Sequence, residues 1–182
     1  MNSDGSSSWL DRRLVFIDVE CPNGRNDRIC SIAALFENGE LISRLVDPET
    51  AFHPVSSKIH GITSDAVYSE PNFRHVWTNE LAVKFEGRTI VGYNVVFDLD
   101  VLAKTLAAYD ILQPIWRYVD LLPVARRCFD LPGYSLSDVM SELGVSFQPH
   151  DAVEEVFAAK TLFEEIARNE PDLLCEKIFK FW

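Results

Sequence analysis

Three distant stretches of the chain carry four carboxylates and one imidazole that can share a cation and activate water. They are Asp18 and Glu20 in Asp18-Val19-Glu20, Asp98 closing Asn94-Val95-Val96-Phe97-Asp98, and His150 followed five positions later by Glu155. The first pair ends an apolar run, Leu14 to Ile17, and the two-residue repeat of an extended strand sends Asp18 and Glu20 to one face and Val19 to the other. Carboxylates side by side repel each other, and a shared cation removes the repulsion. Hard oxygen ligands suit Mg²⁺ or Mn²⁺, two ions in all, rather than zinc. An imidazole titrates near neutrality, so His150 is a candidate general base that can take a proton from water without binding the metal itself. In outline these are the parts of a two-metal site for phosphodiester hydrolysis.

The elements that must position these groups are legible from periodicity and turn residues. A strand from Leu14, a turn rich in Pro, Asn and Gly, a strand over Arg28 to Phe36, the hairpin signal Asn38-Gly39 and a strand over Glu40 to Val46 form an antiparallel meander. Pro48 to Val67 reads as loop and short helix. Phe73, Val76, Trp77, Leu81 and Phe85 have helical spacing. Thr89 to Tyr93 is a short buried strand, Phe97 to Tyr109 a helix, and Ile115 to Val119 another strand. Three further helices fit Leu121 to Phe129, Ser135 to Leu143 and Asp151 to Arg168. Strands followed by crossover helices give an α/β fold with a mixed sheet flanked by helices. Asp98 then sits at a helix start after a strand, where capping alone would favour an acid. Capping and metal binding can both hold there.

The ordered set of motifs resembles the DEDD superfamily of 3′-to-5′ exonucleases in its DEDDh branch, most of all the proofreading epsilon subunits of bacterial DNA polymerase III. Besides the acidic runs, the likeness rests on Ile59-His60-Gly61-Ile62-Thr63, Val119-Asp120-Leu121-Leu122, and Tyr134-Ser135-Leu136-Ser137-Asp138 leading to Leu143-Gly144-Val145, and it extends from about Leu14 to about Ala167. It implies a ribonuclease-H-like mixed five-stranded sheet in the order 3-2-1-4-5. It also implies release of nucleoside 5′-monophosphates from a DNA 3′ end, single-stranded or frayed, with a polymerase subunit as a partner. Two readings stand beside it: an RNA-trimming enzyme similar to oligoribonuclease or RNase T, and a weakly catalytic nucleic-acid-binding module.

Carried over residue by residue, the resemblance makes Asp18, Glu20, Asp98 and Glu155 the metal ligands, with Asp18 bridging both ions, and His150 the base. Val19, Cys21, His60, Ile62, Asn94 and Phe97 become the contacts of the terminal nucleotides, and Asp120 a supporting residue rather than a ligand. Cys21 stands where relatives commonly have threonine. Glu155 stands where they have aspartate. Glutamate keeps the charge but adds a methylene, so its carboxylate must fold back to hold Mg²⁺ at about 2.1 Å. Three outcomes follow: Glu155 serves with lower activity or a Mn²⁺ preference, Asp151 or Glu154 replaces it, or the protein binds and cuts little. Asp151 lies about 400° of helical turn from Glu155 and is also a natural N-cap. Val145 to Pro149 reads as a loop that lets His150 swing in.

Composition bounds the rest. At 182 residues with 47% apolar content, the chain can bury one core, and no linker divides it. The expected organisation is a disordered arm over residues 1–11 and one exonuclease domain over 12–182. Acids exceed bases 28 to 17, a net charge of −11, which excludes nucleic-acid binding through a broad basic surface. A strand end held by metals, backbone amides and stacking remains compatible. Cys21, Cys30, Cys128 and Cys175 have no metal-ligand spacing, and the expected setting is reduced and cytoplasmic. No run approaches the roughly 20 apolar residues of a membrane span. The apolar tail from Pro171 to Trp182 either packs on the domain or faces a partner.

Overall fold

The computed structural model of the chain describes residues 8–180. Its centre is β1 (Leu14–Glu20), paired antiparallel with β2 (Ser31–Phe36) and parallel with β4 (Thr89–Gly92). β3 (Leu41–Leu45) extends the sheet beyond β2, β5 (Trp116–Asp120) runs parallel to β4, and β6 (Lys177–Phe179) closes the far edge antiparallel to β5. The order is therefore 3-2-1-4-5-6. The expected order 3-2-1-4-5 holds, and the sheet has one strand more than the five expected.

That sixth strand comes from the tail. Its three residues are too few to show a period, and aromatic packing fixes them: the Phe179 ring lies 6.0 Å from Trp116 and 6.4 Å from Tyr118. Just before it, the Glu176 carboxylate accepts a hydrogen bond from Thr89 Oγ1 at 2.6 Å and stands 3.6 Å from Arg12 and 3.8 Å from Arg117. The tail through Lys180 thus packs on the domain, while Phe181 and Trp182 lie outside the described residues. At the other end, most of the expected arm is likewise outside them. Trp9–Asp11, however, forms a 3₁₀ turn capped by Ser8, and Trp9 meets Phe163 edge-to-face.

Alternation along β1 divides the core in two. Val15, Ile17 and Val19 face a layer made of α3 (Phe73–Val76), a π-helical turn (Trp77–Leu81), α4 (Ala82–Phe85) and α5 (Val96–Ala108). Leu14 and Phe16 face α6 (Leu121–Cys128), α7 (Leu136–Glu142) and the long α8 (Ala152–Asn169). Asp18 and Glu20 continue the second file, and so point to the layer in which α8 carries Glu155. Two short helices, α1 (Pro54–His60) and α2 (Ser64–Val67), lie in the connection after β3.

Candidate active site

β1 delivers its acids where the chain leaves the sheet. Asp18 and Glu20 are the last even-numbered positions of the strand. Glu20 is held by a bulge in the neighbouring strand: the Cys30 amide donates to the Glu20 carbonyl at 2.8 Å although Ser31 is the residue paired with Glu20. Cys30 Sγ lies 3.3 Å from the same oxygen. The strand end is therefore fixed from the β2 side before any ligand is considered.

Asp98 arrives from the opposite layer. After β4 the backbone turns at Gly92, where a Cβ would stand 2.8 Å from Val95 Cγ2 and 3.0 Å from the Ile17 carbonyl, so glycine allows the turn to approach β1. Asn94 follows at φ 59°, and its amide donates to Asp120 Oδ1 at 2.9 Å; the same oxygen caps α6 through Leu122. Asp120 is the buttress of this turn, the supporting role expected of it. Asp98, in the first turn of α5 and buried, accepts a hydrogen bond from the Val19 amide at 3.0 Å. One carboxylate thus ties the α5 layer to β1 across 79 residues of sequence. Val19 buries its side chain in the core, and its main chain is what meets the site.

Glu155 is half-buried and shares a face of α8 with the buried Ala152 and Ala159. Asp151 caps the helix, accepting from the amides of Val153 and Glu154 at 3.0 and 3.3 Å. His150, just outside, has a left-handed backbone at φ 62° and an exposed side chain, and its amide donates to Glu155 Oε1 at 2.8 Å. Glu154 is exposed on the outer side of the helix and does not perturb the acids of β1. Asp151 does, which places it near them while it serves as the cap.

Glu20, His60, Ile62, His150 and Asp151 line one cavity of about 480 Å³. His60 is a structural clasp in its wall. Its Nδ1 accepts from the Ile62 amide at 3.0 Å, so Nε2 carries the proton and donates to the Cys21 carbonyl at 3.1 Å. The loop after α1 is thereby tied to the residue that follows Glu20. Burial, together with the nearby His150, holds the His60 ring below the usual histidine range and favours this neutral form. Asn94 and Phe97 do not border the cavity: Asn94 is exposed in the turn, and Phe97 is 41% exposed at the start of α5. Sequence reasoning missed Lys58, a cation in the cavity wall, and the clasp function of His60. A lysine two residues before His60 was the available signal.

The electrostatics are dominated by crowded negative charge. Burial pushes Asp18 well above the ordinary aspartate range, and the charges of Asp98, Glu155, Glu20 and Asp151 push it further. Glu20 is pushed up to about 8 by burial first, then by Glu155 and Asp151. Asp98 is raised by burial despite the two backbone amides that favour its charge. Cys21 is pushed up to about 12, again mainly by burial, and is not a thiolate nucleophile. Among the described residues, no ion pair joins Asp18, Glu20, Asp98 or Glu155 to a lysine, arginine or histidine. Nor do three or more described His, Cys, Asp or Glu side chains close into a ready ligand cage. The chemistry of the set, carboxylate oxygens without an ion-pair partner, is that of ligands for a hard divalent ion. All four cysteines are free, and none stands in a zinc-type cluster.

Comparison with known proteins bears on the family and the fold. The family model described as Exonuclease, of the RNase T type, matches residues 15–163. A DNA polymerase III subunit epsilon of Treponema pallidum (strain Nichols) is 28% identical over 146 residues, covering 75% of this chain and 67% of that protein. Among solved structures, exonuclease X in complex with 5′ overhanging duplex DNA superposes with a TM-score of 0.69 at 20% identity, over 87% of this chain and 93% of its own. E. coli exonuclease I in complex with a dT13 oligonucleotide gives 0.73 at 20% identity, over 90% of this chain and 42% of its own. The exonuclease I of Methylocaldum szegediense gives 0.74 at 19% identity, over 89% and 42%. At these identities the structural likeness speaks for the fold, and the chain spans less than half of each exonuclease I.

Proposed function

Because the chain belongs to the exonuclease family, we propose that it is a divalent-metal-dependent 3′-to-5′ exonuclease that removes nucleoside 5′-monophosphates from DNA 3′ ends. The observation that carries this reading is the concentration of Asp18, Glu20, Asp98 and Glu155 at one end of the sheet, without an ion pair to any described lysine, arginine or histidine, while His150 lines the same cavity as Glu20. Burying like charges is costly unless an opposite charge offsets them, and this set has an oxygen chemistry that suits Mg²⁺ or Mn²⁺. Such ions would supply charge neutralisation at the phosphate and a more acidic water.

The remaining tasks fall to the chain itself. Asp98 holds the Val19 amide and so fixes the distance between α5 and the acids of β1. His60 ties the Ile62 loop to Cys21, which shapes the wall against which terminal bases would lie. Lys58 offers the wall a positive charge for the phosphate backbone. His150, exposed at the rim, takes the proton from the attacking water. Glu155 holds the backbone of His150, and Asp151 stays in its capping role. The epsilon relative is a subunit of DNA polymerase III, which supports a replication setting for this chain as well. Among the described residues, no helix is long and apolar enough to cross a membrane.

The test is digestion of 5′-labelled single-stranded and 3′-recessed DNA in Mg²⁺, Mn²⁺ and EDTA, with Asp18→Ala alongside. A ladder shortening from the 3′ end, lost in EDTA and in the variant, is expected. Cleavage that persists in EDTA or in Asp18→Ala refutes the assignment.

A further inference from the structure

We infer that Glu155 is a positioning residue for His150 as well as a member of the acidic set: one carboxylate oxygen clasps the His150 amide while the carboxylate faces the acids of β1. The inference rests on the proposed nuclease reading for its consequence, but not for its geometry. Three observations converge on it. Glu155 Oε1 accepts from the His150 amide at 2.8 Å. His150 sits at φ 62°, a left-handed conformation that a residue with a side chain adopts at a cost, so something must hold it there. Asp151, the residue between His150 and α8, spends its own carboxylate on the amides of Val153 and Glu154. The turn before α8 is thus secured by two carboxylates, and the one that secures His150 belongs to the site.

The length of the side chain is what makes this possible. Glu155 lies one full turn inside the helix, and its carboxylate must reach back past Asp151 to find the His150 amide. Glutamate has the methylene for that reach, whereas aspartate at the same position would leave its carboxylate nearer the helix axis and short of the amide. The carboxylate remains close enough to Glu20 and Asp18 for its charge to act on both. A carboxylate has two oxygens, so accepting one amide leaves the other free for a cation. A single side chain therefore links occupancy of the acidic set to the placement of the imidazole that would deprotonate water. The substitution that looks like a departure from the aspartate of related enzymes becomes the means of fixing the base.

Two variants separate the clasp from the charge. Glu155→Gln retains an oxygen at the same reach but loses the charge; Glu155→Asp retains the charge but loses the reach. Amide hydrogen exchange of His150, measured by NMR in EDTA, reads the clasp without metal or substrate. Exchange in Glu155→Asp is expected to be roughly tenfold faster or more than in the parent, the effect of losing one hydrogen bond to a charged acceptor. Exchange in Glu155→Gln is expected to stay within about threefold of the parent. Unchanged protection in Glu155→Asp, or lost protection in Glu155→Gln, overturns the inference. Kinetics then read the consequence. Glu155→Asp is expected to lower kcat at least fivefold with little change in the Mn²⁺ midpoint, and Glu155→Gln to raise the Mn²⁺ midpoint. An increase of kcat in Glu155→Asp also overturns it. If no variant and no parent cleaves nucleic acid, the proposed function fails while the exchange result still decides the clasp.

Discussion

Replacing Glu20 with glutamine should make the metal-free protein more stable and the enzyme inactive at the same time. Glutamine keeps the shape of the side chain and removes the charge. In the folded chain burial and the charges of Glu155 and Asp151 push Glu20 up to about 8, against an ordinary value of 4.5. A carboxyl raised in this way contributes stability that is fully present below about 4.5 and is lost as the pH rises through 8. From 4.5 to pH 7, at about 1.4 kcal/mol per pH unit, the loss reaches roughly 3 kcal/mol as an upper bound, less whatever solvent and neighbouring protons screen. In a chain of 182 residues, 1 kcal/mol moves the melting temperature by about 2–4 °C. Glu20→Gln in EDTA should therefore melt several degrees above the parent at pH 7–8 and together with it near pH 4.5. Thermal denaturation of both proteins in EDTA across that range is the assay. A variant that is no more stable than the parent at pH 8 would refute the reasoning, because it would mean that Glu20 carries no unbalanced charge.

Other perturbations separate holding from chemistry. Asp98→Asn keeps an acceptor for the Val19 amide and should fold normally without activity, while Asp98→Ala leaves that buried amide unpaired and should cost about 1–3 kcal/mol in urea denaturation; equal stability of the two would remove the tie from the account. His60→Ala breaks the bonds to Cys21 and Ile62 and should raise KM for an oligonucleotide more than it lowers kcat, with a stability loss of about 1–3 kcal/mol. Phe179→Ala strips the anchor of β6 from Trp116 and Tyr118 and should cost about 1–3 kcal/mol while sparing kcat, since it lies at the end of the sheet away from the acids. A large kcat loss in that variant would contradict this separation of fold from site.

Much of the fold could be read because its signals are local. The alternation of β1 and the Asn38-Gly39 turn each fix an element from a few adjacent residues, and the structure has both. The acidic residues were legible because the end of a strand and the start of a helix are the places where charge can meet a cavity. The rest depended on contacts between distant residues. β6 exists because Phe179 finds Trp116 and Glu176 finds Thr89, partners more than 60 residues away in sequence. Phe73 to Phe85 was legible as helical, but the π turn over Trp77–Leu81, where Trp77 packs on Phe85 and Trp116, was not. The clasp of Glu155 on His150 required knowing that the backbone at His150 is left-handed, and no residue type announces that. Phe97, a nucleotide contact only by resemblance, has an exposed ring at the start of α5, a placement that depends on how α5 meets the sheet.

The most direct measurement is calorimetric titration of Mn²⁺ into the metal-free protein at pH 7 in two buffers of different ionisation heat. Glu20 at about 8, with Asp18 and Asp98 also raised, should hold protons at that pH and surrender them as the cation arrives. The account predicts release of about one proton or more per protein, strongly reduced in Asp18→Ala. Binding without proton release, or no binding to the folded protein, would contradict it.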